Sequence, residues 1–327
     1  MHRARSSLSI AILAATTVAS AAVGATELAP HRALYDMRLA RTAAPSGGIV
    51  GARGAMLYRF AETCTAWEVE TRVHLRLTYD RGGEAETVAT TWIFTATEAK
   101  DGRRYDFGVD HKRAGQTIER IEGSVLRPDP SDVGGDVDAA AEAVLAEPQD
   151  GTMHLAAGTL FPARHLEHLL AAAAQGERRF ERPVFDGASL ENPYDVSAVI
   201  IGPVREGGAA SSIAEPSRTG SRMAPRLVHR RSAIGLAKVR AAGIADTPAW
   251  RMRLAFFPLG LKPAANSNAT PADSTDPPAA WGAGLPDFEI EVDYRADGIA
   301  ERIYQDFGDF ALNLEAAEIE PLARPNC

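Results

Sequence analysis

The chain has 327 residues, 45% of them hydrophobic and 24% charged, which is enough to bury a large core, and it carries a formal net charge of −8 at pH 7. That acidic balance argues against nucleic acid as a partner and against charge-driven anchoring on anionic lipid. The only cysteines, Cys64 and Cys327, do not form a Cys-x-x-Cys redox pair and cannot build a structural zinc site without histidines.

The first 25 residues read as an export signal. His2, Arg3 and Arg5 make a basic start, Leu8 to Val18 an apolar stretch, and Ala19-Ser20-Ala21 and Val23-Gly24-Ala25 offer small residues to a signal peptidase. Cleavage is expected after Ala25. The leader holds two arginines and no acid, so the mature chain, 26–327, would carry −10. Thr16, Thr17 and Ser20 interrupt an apolar run already shorter than the roughly 20 residues a bilayer span needs. No later segment approaches that length, and no cysteine directly follows the apolar stretch to accept a lipid. The expectation is a periplasmic or secreted protein with no stable membrane insertion. In an oxidising compartment, one disulfide between Cys64 and Cys327 is the expected state, with two free thiols or an intermolecular bond as rivals.

Period-2 alternation dominates the mature chain. Strands are expected at His31 to Ala40, around Met56, Tyr58 and Phe60, and from Trp67 to Tyr79. In the last of these, Trp67, Val69, Thr71, Val73, Leu75 and Leu77 share one face, and Glu68, Glu70, Arg72, His74 and Arg76 the other. The glycines of Gly51-Ala-Arg-Gly54 suit a bend or bulge. Further strands are expected at Ala85 to Thr97, Arg104 to His111, Gln116 to Leu126, Asp195 to Ile201, Trp250 to Pro258 and Phe310 to Glu320. Phe288 to Tyr294 and Ile299 to Tyr304 form a hairpin about Asp297-Gly298.

Pro162 to Gln175 departs from this pattern. Pro162 fits a first helical turn, Leu166, Leu169 and Leu170 make an apolar stripe, and Gly176 is a natural stop. A helix there could plug a hollow, although covering a sheet edge is the simpler reading. Mobile insertions are expected near 129–151, 203–225 and 262–286, with a helical turn or two at Ala139 to Ala146. The architecture is all-β, mainly antiparallel: one strongly curved sheet, with a covering helix near 162–175, in a single domain. Whether its interior is hollow or filled cannot be read from periodicity; dense packing is the default.

No catalytic signature stands out. Asp306-Phe307-Gly308 spells the metal-binding tripeptide of kinases without the companion motifs, and neither a Gly-x-Ser-x-Gly elbow nor a Ser-x-x-Lys pair occurs. His165 and His168 stand at i, i+3 about Glu167, but a metal would need further ligands. Carboxylates are plentiful, which keeps a hydrolase acting on a cell-wall polymer as an alternative. No catalytic, metal or cofactor-binding residue is assigned, and no cofactor is expected.

Several short motifs, taken in order, carry a resemblance. Leu28-Ala-Pro-His-Arg-Ala-Leu-Tyr-Asp36, the Gly51 to Gly54 bend with Tyr58, Leu155-Ala-Ala-Gly-Thr-Leu-Phe-Pro162 with His165, Pro183-Val-Phe-Asp-Gly187 and Gly308-Asp-Phe-Ala-Leu312 together resemble the EipB-like cell-envelope integrity family. The resemblance implies a periplasmic alphaproteobacterial protein whose sheet winds into an open, spiral-like barrel. It makes Cys64 and Cys327 the disulfide joining the ends of the domain. It also implies a non-enzymatic role in envelope integrity, and a fold akin to lipoprotein carriers, which suggests an envelope protein, a peptide or a lipid as partner. A secreted structural or interaction protein is the remaining alternative. Weak self-association through sheet edges is also expected.

Overall fold

The computed structural model describes residues 27–42, 48–190, 193–206, 229–259 and 286–327. The expected leader lies outside them, as do most of the segments 203–225 and 262–286.

Fifteen described strands form one sheet. The N-terminal run is an antiparallel meander: β1 (His31–Thr42), β2 (Ile49–Glu62), β3 (Ala66–Asp80), β4 (Ala85–Ala99), β5 (Arg104–Arg113), β6 (Gln116–Leu126), β7 (Ala141–Glu147) and β8 (Gly151–Leu155). After the helix α1 (Pro162–Ala174) come β9 (Arg179–Val184), β10 (Tyr194–Arg205), β11 (His229–Arg230), the helix α2 (Ala233–Ala241), β12 (Ala249–Pro258), β13 (Phe288–Arg295), β14 (Ala300–Asp306) and β15 (Phe310–Pro321). The strands lie in the order β11-β10-β12-β13-β14-β15-β1-β2 and onward to β8, with β9 on β10. The last strand therefore sits mid-sheet and pairs antiparallel with the first, from His31 opposite Pro321 to Thr42 opposite Phe310. Among the described strands β10 and β11 pair in parallel.

Alternation decides which face curls inward. His31, Ala33, Tyr35 and Met37 are buried while Arg32, Asp36 and Arg38 are exposed, and the same phase runs through the neighbouring strands. The concave face holds two apolar clusters. The larger gathers Tyr35, Val196, Met252, Val292 and Leu314 with Leu169 and Leu170 of α1; the smaller gathers Phe94, Tyr105, Phe107, Ile121, Val125 and Leu155. The helix thus does not simply cover an edge. It seats its leucine stripe inside the roll, near the Asp297-Gly298 turn, where Gly298 has φ +83° and a Cβ would meet Leu28 and Leu166.

The described ends of the sheet, β8 and β11, do not pair with one another. The roll is instead clasped at one rung, where the Leu160 amide donates to Pro183 O at 2.8 Å and the Phe185 amide to Leu160 O at 3.0 Å. This rung unites two of the short motifs. Tyr105 donates its hydroxyl to Asp186 O, and its ring stacks on Phe161 at 4.8 Å. The buried Arg127 lies over Phe161 and donates to Thr159 O and Ala139 O.

Two sequence expectations need correction. Ala139 to Ala146 forms no helical turn: it supplies most of β7, because Gly123 to Val125 of β6 offer a ladder to Ala143, Val144 and Leu145. A second helix, α2, also stands where none was expected. It lies on the convex face over β14 and β15 and seals a group of charges. There Arg231 donates to both Glu301 oxygens, and Arg251 to both Asp293 oxygens at 2.7 and 2.8 Å, while Glu301, Asp293 and Arg295 have no exposed surface.

Cys64, in the β2–β3 turn, is bonded to Cys327, with their Cα atoms 5.7 Å apart and a separation of 263 positions in sequence. Arg324 reinforces the same corner, donating to Glu62 at 2.8 Å and to Leu28 O at 2.9 Å.

Candidate functional site

The interior is not uniformly packed along its length. Toward α1 it is solid: Met252, Val196, Val292 and Leu314 are 0–1% exposed. At the other end of the same strands, the inward positions pass to Phe256, Phe288 and Phe310, which are only half-buried, and Phe307 in the β14–β15 turn is 38% exposed. Ring contacts run without a break along this rim. Tyr194 meets Phe288 at 5.8 Å, Phe288 stacks on Phe256 at 4.3 Å and reaches Phe307 at 6.5 Å, and Phe307 stacks on Phe310 at 4.9 Å. Behind the rim, Ile290 and Ile303 continue the half-buried apolar lining.

The rim is a product of register. Phe256 lies opposite Phe288 across β12 and β13, as Leu254 lies opposite Ile290, so the alternation that buries the strand centres delivers aromatics to their ends. Asp306-Phe307-Gly308 is the turn that carries one of these rings. Asp306 accepts from Arg41 at 2.5 Å and from the Gly308 amide at 2.9 Å, and Gly308 has φ +82°, so its acid organises a turn. Such an arrangement offers dispersion contact and apolar burial to a ligand.

At the opposite end, the α1 entry concentrates buried titratable groups. Glu98 accepts from the amides of Ala163 at 2.7 Å and Arg164 at 2.9 Å, satisfying two of the free donors at the helix start from a neighbouring strand. Burial outweighs those bonds and pushes its carboxyl up to about 7. His165 is buried against Phe180, and burial lowers its imidazole to about 4, with the nearby His168 adding to the effect. His168 is also lowered by burial, and Glu167 raised by it. Among the described residues no three His, Cys, Asp or Glu side chains are grouped to hold a metal ion. The two helix histidines thus stand without further ligands. His74 is apart from both, on the convex face with its Nδ1 at 3.1 Å from the Thr91 hydroxyl.

Sequence reading found Phe288 and Phe310 as strand residues and Phe307 as part of a motif. It did not find that they converge, because convergence is set by the β12–β13 and β14–β15 registers. Glu98 left only the faint signal of an acid on the apolar phase of β4.

Known proteins bear on this geometry. A crystal structure of a beta-barrel-like protein of domain of unknown function DUF1849 from Brucella abortus superposes with a TM-score of 0.65, over 91% of this chain and 99% of that one, at 20% identity; it shows the fold. The cell envelope integrity protein EipB of Brucella abortus (strain 2308) is 28% identical over 185 residues, 56% of this chain and 61% of that protein, so the match spans less than two thirds of the relative's length. The family model described as EipB-like matches residues 22–229, well over half of the sequence. This chain belongs to the EipB-like family.

Proposed function

We propose that this protein works in the periplasm, supporting the cell envelope by holding the acyl part of an envelope component against its aromatic rim rather than by catalysis. The observation that carries the reading is the incompletely buried run Phe256, Phe288, Phe307 and Phe310, backed by the buried Tyr194, at one end of an otherwise dense interior. Exposed rings in contact lose water when an apolar partner covers them, at about 25 cal/mol per Å². A named envelope-integrity relative and a disulfide suited to an oxidising compartment support the setting.

The test is uptake of an environment-sensitive fluorescent fatty acid by the oxidised protein. Wild type is expected to bind it, and Phe288→Ala combined with Phe307→Ala to weaken binding on the order of 10-fold, as removal of two covering rings implies. Probe that stays in buffer with wild type, or binds both proteins equally, would overturn the reading.

A further inference from the structure

The convex face carries three arginines side by side on consecutive strands. Arg38 of β1 lies directly opposite Arg53 of β2, which lies directly opposite Arg76 of β3. All three are exposed, and none makes an ion pair or side-chain hydrogen bond among the described residues. Other arginines of these strands behave differently: Arg32 pairs with Glu320, Arg41 with Asp306, Arg59 with Glu68 and Arg72 with Glu70. Around the row, Asn313 of β15 lies opposite Arg38, and the acids Asp36 and Glu315 face one another two residues along. Lys238 of α2 adds a further cation beside Arg38.

Like charges directly opposed on neighbouring strands weaken a sheet. The row therefore costs stability and returns none through pairing. Together with the small residues Gly54, Ala55 and Ala89, and with Asp36 and His74, the row lines a groove of about 640 Å³. That lies within the roughly 300–1,000 Å³ of small-ligand sites and suits a compact, multiply charged group better than a folded partner. Neighbouring strands are about 4.8 Å apart, so two adjacent guanidinium forks can grip one phosphate while the third reaches a second.

We propose that Arg38, Arg53 and Arg76 dock the protein on the phosphate headgroups of an anionic lipid surface. The proposal rests on the envelope reading above and adds the place where the protein would meet a membrane. The chain's overall acidity is no bar at contact range, because charges beyond about 8 Å are largely screened at physiological salt, and within the groove's own lining three arginines outnumber the single acid Asp36.

Co-sedimentation of the oxidised mature protein with phosphatidylcholine vesicles, with and without phosphatidylglycerol, tests this. Wild type is expected to bind only the anionic vesicles, less so as salt rises. The combined variant Arg38→Gln, Arg53→Gln, Arg76→Gln is expected to lose on the order of 100-fold in binding, roughly fivefold per arginine. The same variant should melt no lower than wild type, since it loses only repulsion, which separates lost docking from lost fold. Wild type that ignores anionic vesicles, or a variant that binds them equally, would overturn the proposal. So would a groove that binds inorganic pyrophosphate in calorimetry while vesicles are ignored. Fatty-acid uptake by the same variant is read separately: retained uptake with lost sedimentation supports docking, and lost uptake in the ring variants alone leaves docking standing.

Discussion

Gly54 shows how tightly one residue can be specified by its neighbours' backbone. A Cβ built there would stand 2.1 Å from His74 O and 2.9 Å from Leu75 Cα, atoms that cannot turn aside as a side chain can. Gly54→Ala is therefore expected to destabilise by at least the roughly 1–3 kcal/mol of ordinary overpacking, with β2 shifting against β3. Urea unfolding checks this, and a midpoint equal to wild type would mean that the strands part at no cost. Because Arg53 is the next residue, the same shift should disturb the arginine row. Gly54 was visible in the sequence as a bend signal, but the row was not. Positions 38, 53 and 76 have no helical or strand spacing in common, and only the pairing of three strands aligns them.

At the scale of the element, the entry to α1 brings together Glu98 of β4 and His165 of the helix, two buried groups whose titrations oppose each other. Glu98 titrates near 7 in the folded chain against an ordinary 4.5. Between those values the unfolded carboxyl has given up its proton and the folded one keeps it, so its contribution makes stability fall as pH rises through that window and level off above it. His165 titrates near 4 against an ordinary 6.5. There the unfolded imidazole takes up a proton that the folded one refuses, so stability falls as pH drops from 6.5 toward 4. Between 4.5 and 6.5 the two slopes oppose, each at most about 1.4 kcal/mol per pH unit. Denaturation across that range should show Glu98→Gln tilting the profile upward with pH relative to wild type, and His165→Asn tilting it downward. Unchanged profiles would place both titrations outside the window.

The elements divide by legibility for physical reasons. β3 could be read directly, since its apolar and charged faces alternate without a break over Trp67 to Leu77. β7 could not, because Ala-Glu-Ala-Val-Leu-Ala-Glu is rich in helix formers and only pairing with β6 and β8 makes it a strand. β9 is short and contains Pro183. α2 was masked by Gly235, a poor helix residue required because a Cβ there would strike Glu301 at 2.7 Å. Its start signal was nonetheless present, for the Ser232 hydroxyl accepts from the Gly235 amide at 3.1 Å.

Across the whole molecule, the Cys64–Cys327 bond closes a loop containing nearly all of the described chain. The chain-entropy account assigns roughly 5 kcal/mol to a loop of this length, and native disulfides typically deliver about 2–5. Cys64→Ser, measured against wild type without reductant, should lose stability in that range and become insensitive to added dithiothreitol. Equal melting of the two proteins would show that Arg324 and the β1–β15 ladder already hold the corner. The overall curl was legible from strand count and alternation. How far the roll fills was not, because alternation reports which side faces in and says nothing of how much lies there.

The pairing of β1 with β15 means that the sheet has no complete centre until its final strand arrives. A polypeptide cut short before Phe310 would present two unmated ladders, along β14 and along β1, each with its row of bare amides and carbonyls. Products that lack β15 are therefore expected to be prone to proteolysis or clumping.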